Sequence, residues 1–232
     1  MRDKNIIWLY LFLAATVADL TFVVSGDSTN RFFSKPLIVL GLILYFYRST
    51  RAIASTILIK SILAALIFSL IGDILLLWEE FFIFGLGSFL MAHICYIIGF
   101  KLAQDAPQRL GHMNFVQIFF YNLPIYLAAS LTFYLINPGL GSLKIPVIVY
   151  ILVIVGMVAT ARDRFGKTTP ASFWQVFIGA IFFFISDGII AISRFYQDFP
   201  ESGVLIMGTY ATAQLLFVMG IRSYLVQGKV GS

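Results

Sequence analysis

Long uninterrupted runs of apolar residues recur along almost the whole chain, and polar residues gather in the short segments between them. A helix that crosses the ~30 Å hydrocarbon core of a bilayer needs about 20 such residues. The second run is short, so we expect its helix to begin earlier, near Phe32, and the third is long enough to predict a tilted helix. The pattern predicts eight transmembrane helices, near residues 6–24, 36–47, 53–77, 81–102, 115–135, 145–161, 173–193 and 203–226.

The composition excludes several classes of protein. Hydrophobic residues make up 60% of the 232 positions and charged residues only 12%, whereas a soluble domain carries about 25% charged residues. A soluble enzyme and a disordered chain are therefore excluded, and continuous apolar runs do not fit the alternating strands of an outer-membrane barrel. Because the connections are short, we expect an all-α polytopic membrane protein in which residues 1–232 form one transmembrane domain.

The distribution of basic residues predicts the orientation in the membrane. Of the 16 Lys and Arg residues, eleven lie at the termini or in the loops on the same side, and Lys60 lies within a predicted helix. Because cytoplasmic loops are enriched in Lys and Arg, both termini are predicted to be cytoplasmic. The loops on the other side of the membrane carry only Arg31, Lys35, Lys144 and Arg194. No basic cluster in a polar segment is interleaved with aromatic residues, so we expect no nucleic-acid partner.

Several polar and ionisable residues fall within or beside the predicted helices, where a charge is costly and marks a candidate functional site. Alternatives remain: Asp19 is close enough to the interface to be merely solvated, and His93 alone is typical of an interhelical hydrogen bond. Arg194 follows Asp187 by seven residues on the same face and can form a structural pair with it. In the predicted orientation Lys35 lies at the outer entrance of the second helix. One layer in the outer half of the membrane is predicted to contain Asp19, Lys35, Asp73, His93, Asp187, Arg194, Tyr210 and Gln214.

Asp73 and Asp187 are the hardest of these to explain structurally. Two carboxylates at one depth on different helices hold helices together poorly, but they suit acid–base catalysis. The segments around them, FSLIGDIL at 68–75 and FFFISDGI at 182–189, are similar and lie four helices apart. This spacing allows a four-plus-four internal repeat with both halves in the same orientation, in which the two aspartates would face each other.

Other chemistries lack the residues that they need. Only His93 and His112 are present, so a zinc site with three histidines is not expected, and the single Cys95 cannot form a CxxC pair. The chain has no P-loop, HExxH or GxSxG motif. We therefore expect no metal and no cofactor. A neutral carboxyl group beside an ionised one can instead catalyse hydrolysis through an oxocarbenium-like state, as in glycosidases.

An ordered set of motifs covers nearly the whole chain: Lys35-Pro36, Gly72-Asp73, the segment 84–96 with His93 and Tyr96, Phe184-Ile-Ser-Asp187, Arg194-Phe195, Thr209-Tyr210 and Gln214. This ordered set resembles the YhhN-type lysoplasmalogenase family. The resemblance implies an enzyme without a cofactor that hydrolyses the vinyl ether bond of lysoplasmalogens. The implied products are a fatty aldehyde and glycerophosphoethanolamine or glycerophosphocholine.

For this activity we expect Asp73 and Asp187 to be catalytic, one as the general acid and the other as the base, with the assignment open. The expected partners are a lysophospholipid substrate and the lipid bilayer, and the expected location is a bacterial inner membrane. A small proton-coupled transporter and a non-catalytic lipid-binding protein are the alternatives. Five residues would bind the substrate, two cations for its phosphate and three to orient water or glycerol: Lys35, Arg194, His93, Tyr210 and Gln214.

Overall fold

The computed structural model describes residues 5–53, 55–105 and 115–227, with side chains from 119 to 226 in the last range. Within these ranges the regular secondary structure is entirely helical, and eight helices are long and apolar enough to cross a membrane. The prediction of an all-α membrane protein with eight spanning helices is confirmed. His112, one of the two histidines of the sequence, lies outside the described residues. The helices are α1 Ile6–Ser25, α2 Ser28–Thr50, α3 Ile57–Leu75, α4 Phe82–Leu102, α5 Phe115–Ile136, α6 Lys144–Arg162, α7 Pro170–Phe195 and α8 Ser202–Gln227.

The start of α2 differs from the predicted position. Asp27 caps this helix, because its carboxylate accepts the backbone N–H of Asn30 at 3.1 Å, and this hydrogen bond lowers the pKa of Asp27. The helix therefore begins at Ser28, two full turns before Pro36. The prediction that Lys35 lies at the entrance of the helix is wrong, since Lys35 lies in its third turn and is buried.

The start of α3 differs as well. The side chain of Thr56 accepts the backbone N–H of Ile59 at 3.3 Å, which caps the helix at this point. The helix begins at Ile57 and has 19 residues, so the prediction of a long third helix is wrong. Lys60 lies in the first turn with an exposed side chain, where its charge can reach the membrane surface.

Six helices form a closed ring in the order α2, α3, α4, α6, α7 and α8, each packing against the next. Outside the ring, α1 lies against α2 and α8, and α5 lies against α6 and α7. Aromatic side chains fill the middle of the ring. Phe183 is fully buried there, with its ring centroid 4.8 Å from that of His93 and 5.4 Å from that of Tyr210. The ring therefore brings polar residues from distant parts of the chain around one aromatic core.

A buried arginine joins three helices at the end of the ring where α4 ends and α7 begins. Arg164, in the connection between α6 and α7, donates from Nε to the carbonyl of Ala103 at 3.0 Å and from Nη2 to Oγ of Ser172 at 2.7 Å. Ser172 in turn donates to the carbonyl of Gly220 in α8 at 2.7 Å. Burial lowers the pKa of Arg164 to about 10, so the guanidinium is charged at neutral pH and its hydrogen bonds are charge-assisted.

Candidate active site

Asp73 lies near the end of α3, and its carboxylate is held from two other helices. Tyr210 of α8 donates its hydroxyl hydrogen to Oδ2 at 2.6 Å. The ammonium nitrogen of Lys35, from α2, lies 3.9 Å from Oδ1. All three residues are buried. The structure therefore brings together three of the predicted site residues, and Asp73 has both an opposite charge and a directed hydrogen bond.

A chain of hydrogen bonds continues from Tyr210 into the core. Nε2 of Gln214 donates to the hydroxyl oxygen of Tyr210 at 3.2 Å, and the hydroxyl of Tyr96 donates to Oε1 of Gln214. Gln214 and Tyr96 are fully buried. Because the hydroxyl oxygen of Tyr210 accepts the N–H of Gln214, its own hydrogen is directed to Asp73. Gln214 thus contacts Tyr210 rather than Asp73 and orients the tyrosine hydroxyl.

Asp187 lies in α7 and has different partners. Tyr150 of α6 donates its hydroxyl hydrogen to Oδ2 at 2.5 Å. Nε2 of His93, from α4, lies 3.7 Å from the same oxygen. His93 is fully buried, and neither of its ring nitrogens has a hydrogen-bond partner among the described residues. The alternative in which His93 serves as an interhelical hydrogen-bond partner is therefore not what the structure shows.

An apolar cavity borders Asp187. It lies between α4, α6 and α7 of the ring and α5 outside it, and it contains about 710 Å³ of space between atoms, part of it open to the surroundings. Asp187 and Tyr150 are among its few polar lining residues. Along α7 the lining extends from Phe184 to Phe195, a length of about 16 Å at 1.5 Å per residue.

Asp73 is not part of the cavity lining, because an aromatic ring lies in between. Phe89 lines the cavity, and its ring centroid lies 5.8 Å from that of Tyr210. The same ring lies against α3 at Gly72, where an added Cβ would come within 2.6 Å of it. The ring of Phe89 therefore separates the cavity from Asp73 and Tyr210.

Asp19 is not solvated, contrary to the alternative interpretation of its position. It is fully buried, and its Oδ1 accepts a hydrogen bond from Ser34 at 2.8 Å and lies 3.4 Å from Nε of Arg31. Two residues at the start of α2 therefore compensate for the burial of this carboxylate, and that interpretation is wrong.

Arg194 lies apart from both aspartates, at the last turn of α7. Its Nη1 is 3.6 Å from Oε1 of Glu79, and its guanidinium lies over the ring of Phe82 at 5.2 Å from the centroid. The alternative of a structural pair between Asp187 and Arg194 is wrong. We use the term loop end for the part of the cavity lined by Leu76, Phe82 and Phe195, which lie at helix termini. Arg194 is at the loop end.

Tyr150 was not predicted as a site residue. The sequence nevertheless contains a signal that could have identified Tyr150, because it is the only tyrosine of α6 and lies in the middle of an otherwise apolar stretch. Tyr96 was recognised only as part of the family motif. Within the described part of the chain, no group of three or more His, Cys, Asp or Glu side chains is placed to hold a metal ion. The side chains that the site brings together are suited to proton transfer: two carboxyl groups, with two tyrosines, a lysine and a histidine beside them.

The fold and the site define a polytopic membrane protein with a buried carboxyl group, Asp73, at its centre and a partly buried one, Asp187, beside an apolar cavity. The chain belongs to the YhhN family, whose sequence model matches residues 30–221. The resemblance stated from the motifs is thereby confirmed.

Curated relatives carry the name lysoplasmalogenase. The lysoplasmalogenase of Mycobacterium bovis is 34% identical over 160 residues, which cover 67% of this chain and 58% of the relative. Lysoplasmalogenase TMEM86A of Homo sapiens is 32% identical over 166 residues, 68% of this chain and 63% of the relative. Lysoplasmalogenase TMEM86B of Mus musculus is 28% identical over 181 residues, 78% of this chain and 70% of the relative.

The chain thus spans less than two thirds of the length of the mycobacterial relative. No solved structure matches the chain significantly.

Proposed function

We propose that this protein hydrolyses the vinyl ether bond of lysoplasmalogens inside the membrane and releases a fatty aldehyde and the glycerophospho-alcohol. The observation that carries the proposal is Asp187, a carboxyl group that borders an apolar cavity and has Tyr150 and His93 beside it. The names of the relatives support the same reaction.

The cavity fits the single hydrocarbon chain of such a substrate. Its lining is almost entirely apolar, and α5 forms its outer wall through Ala129 and Thr132. Because α5 lies outside the ring, a lipid chain can lie between α5 and the ring and continue into the bilayer. The vinyl ether then lies beside Asp187, and the polar head group lies toward the loop end.

The first chemical step is protonation of carbon. A proton from a carboxyl group adds to the outer carbon of the C=C bond, and the electron pair of the ether oxygen forms a C=O⁺ bond to the inner carbon. We assign this step to Asp187, because it is the carboxyl group that borders the cavity. Tyr150 and His93, both within 4 Å of its Oδ2, orient it.

The second step adds water to the oxocarbenium carbon. A base takes one proton of the water, which gives a neutral hemiacetal. When the hemiacetal collapses, the base passes this proton to the departing ether oxygen and the hydroxyl proton returns to the general acid, so that the aldehyde remains and both carboxyl groups regain their first protonation states. We assign the base to Asp73, with Lys35 as its counter-charge and Tyr210 as its donor. This assignment requires the ring of Phe89 to move aside when the substrate binds.

The test is aldehyde release from lysoplasmalogen micelles by the purified protein in detergent, without any ion gradient. The variants are Asp73→Asn and Asp187→Asn, and the matched control is Asp163→Asn, whose half-exposed carboxylate pairs with Arg162 at the surface. We expect aldehyde from the unmodified protein and the control and none from either site variant, while all four proteins stay folded in detergent.

Each other outcome contradicts a stated part of the proposal. Near-normal turnover by Asp73→Asn would show that Asp187 and His93 perform both steps, so the two-carboxylate mechanism would be wrong. Near-normal turnover by Asp187→Asn would contradict the assignment of the acid. Absence of aldehyde from a well-folded unmodified protein would contradict the hydrolase itself, and transport assays in sealed vesicles would follow.

A further inference from the structure

Glu79 and Arg194 form an ion pair at the loop end of the cavity. The side chain of Glu79 is 86% exposed and that of Arg194 is 40% exposed. The guanidinium is held in place by the ring of Phe82, which lines the cavity, as does Phe195, the residue after Arg194. A positive and a negative charge therefore lie side by side where the cavity reaches the helix termini.

Aromatic side chains place this region at the membrane–water boundary. The rings of Phe32 and Trp78 lie 5.1 Å apart, and the series continues from Trp78 to Phe81 at 6.1 Å. Glu79 directly follows Trp78 in the chain. Aromatic residues, Trp above all, are enriched at the level of the lipid head groups, so Glu79 and Arg194 lie at the depth where a head group would be.

The spacing between Arg194 and Asp187 matches the length of a glycerophosphate unit. Seven residues of helix separate them, about 10 Å along the axis of α7 at 1.5 Å per residue. Six or seven bonds join the phosphorus to the two vinyl ether carbons, roughly 8 Å at bond lengths near 1.5 Å. A vinyl ether beside Asp187 thus leaves the phosphate within reach of the guanidinium.

We propose that Glu79 and Arg194 together bind a zwitterionic phosphoethanolamine-type head group, with the phosphate on Arg194 and the ammonium on Glu79. An exposed ion pair is weak in water, so Glu79 and Arg194 can separate from each other and pair with the opposite charges of the ligand instead. Arginine matches a phosphate through two parallel hydrogen bonds. This inference rests on the proposed function, since it assumes a lysophospholipid in the cavity.

The test compares two head groups in four variants. The substrates are alkenyl lysolipids that carry phosphoethanolamine or a bare phosphate. The variants are Glu79→Gln and Arg194→Gln, with Glu80→Gln and Lys144→Gln as controls, because both control residues are exposed. KM and kcat are measured for each, and binding of a saturated alkyl ether analogue, which cannot be hydrolysed, is measured in the same detergent.

We expect Arg194→Gln to raise KM about tenfold for both substrates, as the loss of a charge-assisted hydrogen bond predicts. Glu79→Gln should raise KM only for the phosphoethanolamine substrate and should lower it for the bare phosphate, because a repelling charge is removed. Values of kcat should stay within about twofold, since neither residue touches the reacting atoms. Soluble glycerophosphoethanolamine should compete with the analogue in the unmodified protein.

Equal effects of Glu79→Gln on both substrates, or effects no larger than those of Glu80→Gln, would overturn the proposal. If the unmodified protein releases no aldehyde, the proposed function fails separately. Binding of the saturated analogue then tests the head-group site by itself. The same pattern of effects among the variants supports this site, and the absence of that pattern contradicts it.

Discussion

Two tyrosines donate to the two aspartates, and removing their hydroxyl groups should have unequal effects on stability. Tyr210→Phe deprives Asp73 Oδ2 of a donor at 2.6 Å and Gln214 Nε2 of an acceptor at 3.2 Å. The Asp73 side chain is only 3% exposed and Gln214 is fully buried. An orphaned buried polar group costs about 1–3 kcal/mol, so two of them should lower the free energy of unfolding by about 2–6 kcal/mol.

Tyr150→Phe removes a single hydrogen bond, at 2.5 Å to Asp187. The Asp187 side chain is 11% exposed and borders the cavity, where a water molecule can replace the lost donor. The expected cost is therefore about 1 kcal/mol, the net value of an ordinary hydrogen bond. The difference between the two variants should be about 1–5 kcal/mol.

The assay is thermal unfolding of both variants in one detergent, beside Tyr134→Phe as a control with a 76% exposed side chain. At about 2–4 °C per kcal/mol for a chain of this size, Tyr210→Phe should have a Tm several degrees below that of Tyr150→Phe. Tyr134→Phe should match the unmodified protein. An equal or larger loss in Tyr150→Phe would refute the reasoning, because Asp187 would then be the carboxylate without access to water.

Four further results are expected. Ala191→Phe should fill the cavity and abolish aldehyde release from a folded protein, whereas near-normal release would mean that the substrate lies elsewhere. Arg164→Met should lower the free energy of unfolding by at least about 3 kcal/mol and leave the KM of the remaining folded protein unchanged. The hydroxyls of Ser193 and Ser202 lower the pKa of Asp198. The ionised carboxylate therefore stabilises the fold above the ordinary pKa of an aspartate, and this stabilisation is lost as the pH falls through the lowered pKa. Acidification below about pH 4 should thus reduce the Tm of the unmodified protein more than that of Asp198→Asn. A chelator should leave turnover unchanged, and inhibition that added metal reverses would indicate a metal site.

The number of helices could be predicted from the sequence because a bilayer demands long apolar runs, and such runs are visible in one dimension. The helix starts that were predicted wrongly depend on single side chains in polar segments. Asp27 and Thr56 each cap a helix through one hydrogen bond. Hydropathy does not register these bonds, so α2 begins earlier and α3 begins later than the apolar runs indicate.

The partners of the site residues could not be predicted from the sequence. They depend on the order of the helices in the ring and on the rotation of each helix about its axis. Lys35 therefore pairs with Asp73, and Arg194 pairs with Glu79 rather than with Asp187. These pairs arise from tertiary packing, which the spacing of residues along one helix does not contain.

The partners of the two aspartates come from corresponding helices of the two halves of the chain, but they are different types of residue. Each aspartate lies on the third helix of its half of the chain, and it has one partner from the second helix of the same half and one from the fourth helix of the other half. A four-plus-four repeat, which stays a prediction, would produce this exchange. The partners differ in kind: Lys35 and Tyr210 for Asp73, and Tyr150 and His93 for Asp187.

This difference in partners suits the proposed acid–base mechanism. Catalysis by a pair of carboxyl groups depends on environments that hold the two in different protonation states. Asp73 has the ammonium group of Lys35 beside it and lies away from the cavity, whereas Asp187 has Tyr150 and His93 beside it and borders the cavity. Under the proposed mechanism, a scaffold that places two aspartates alike gives them separate roles through their different neighbours.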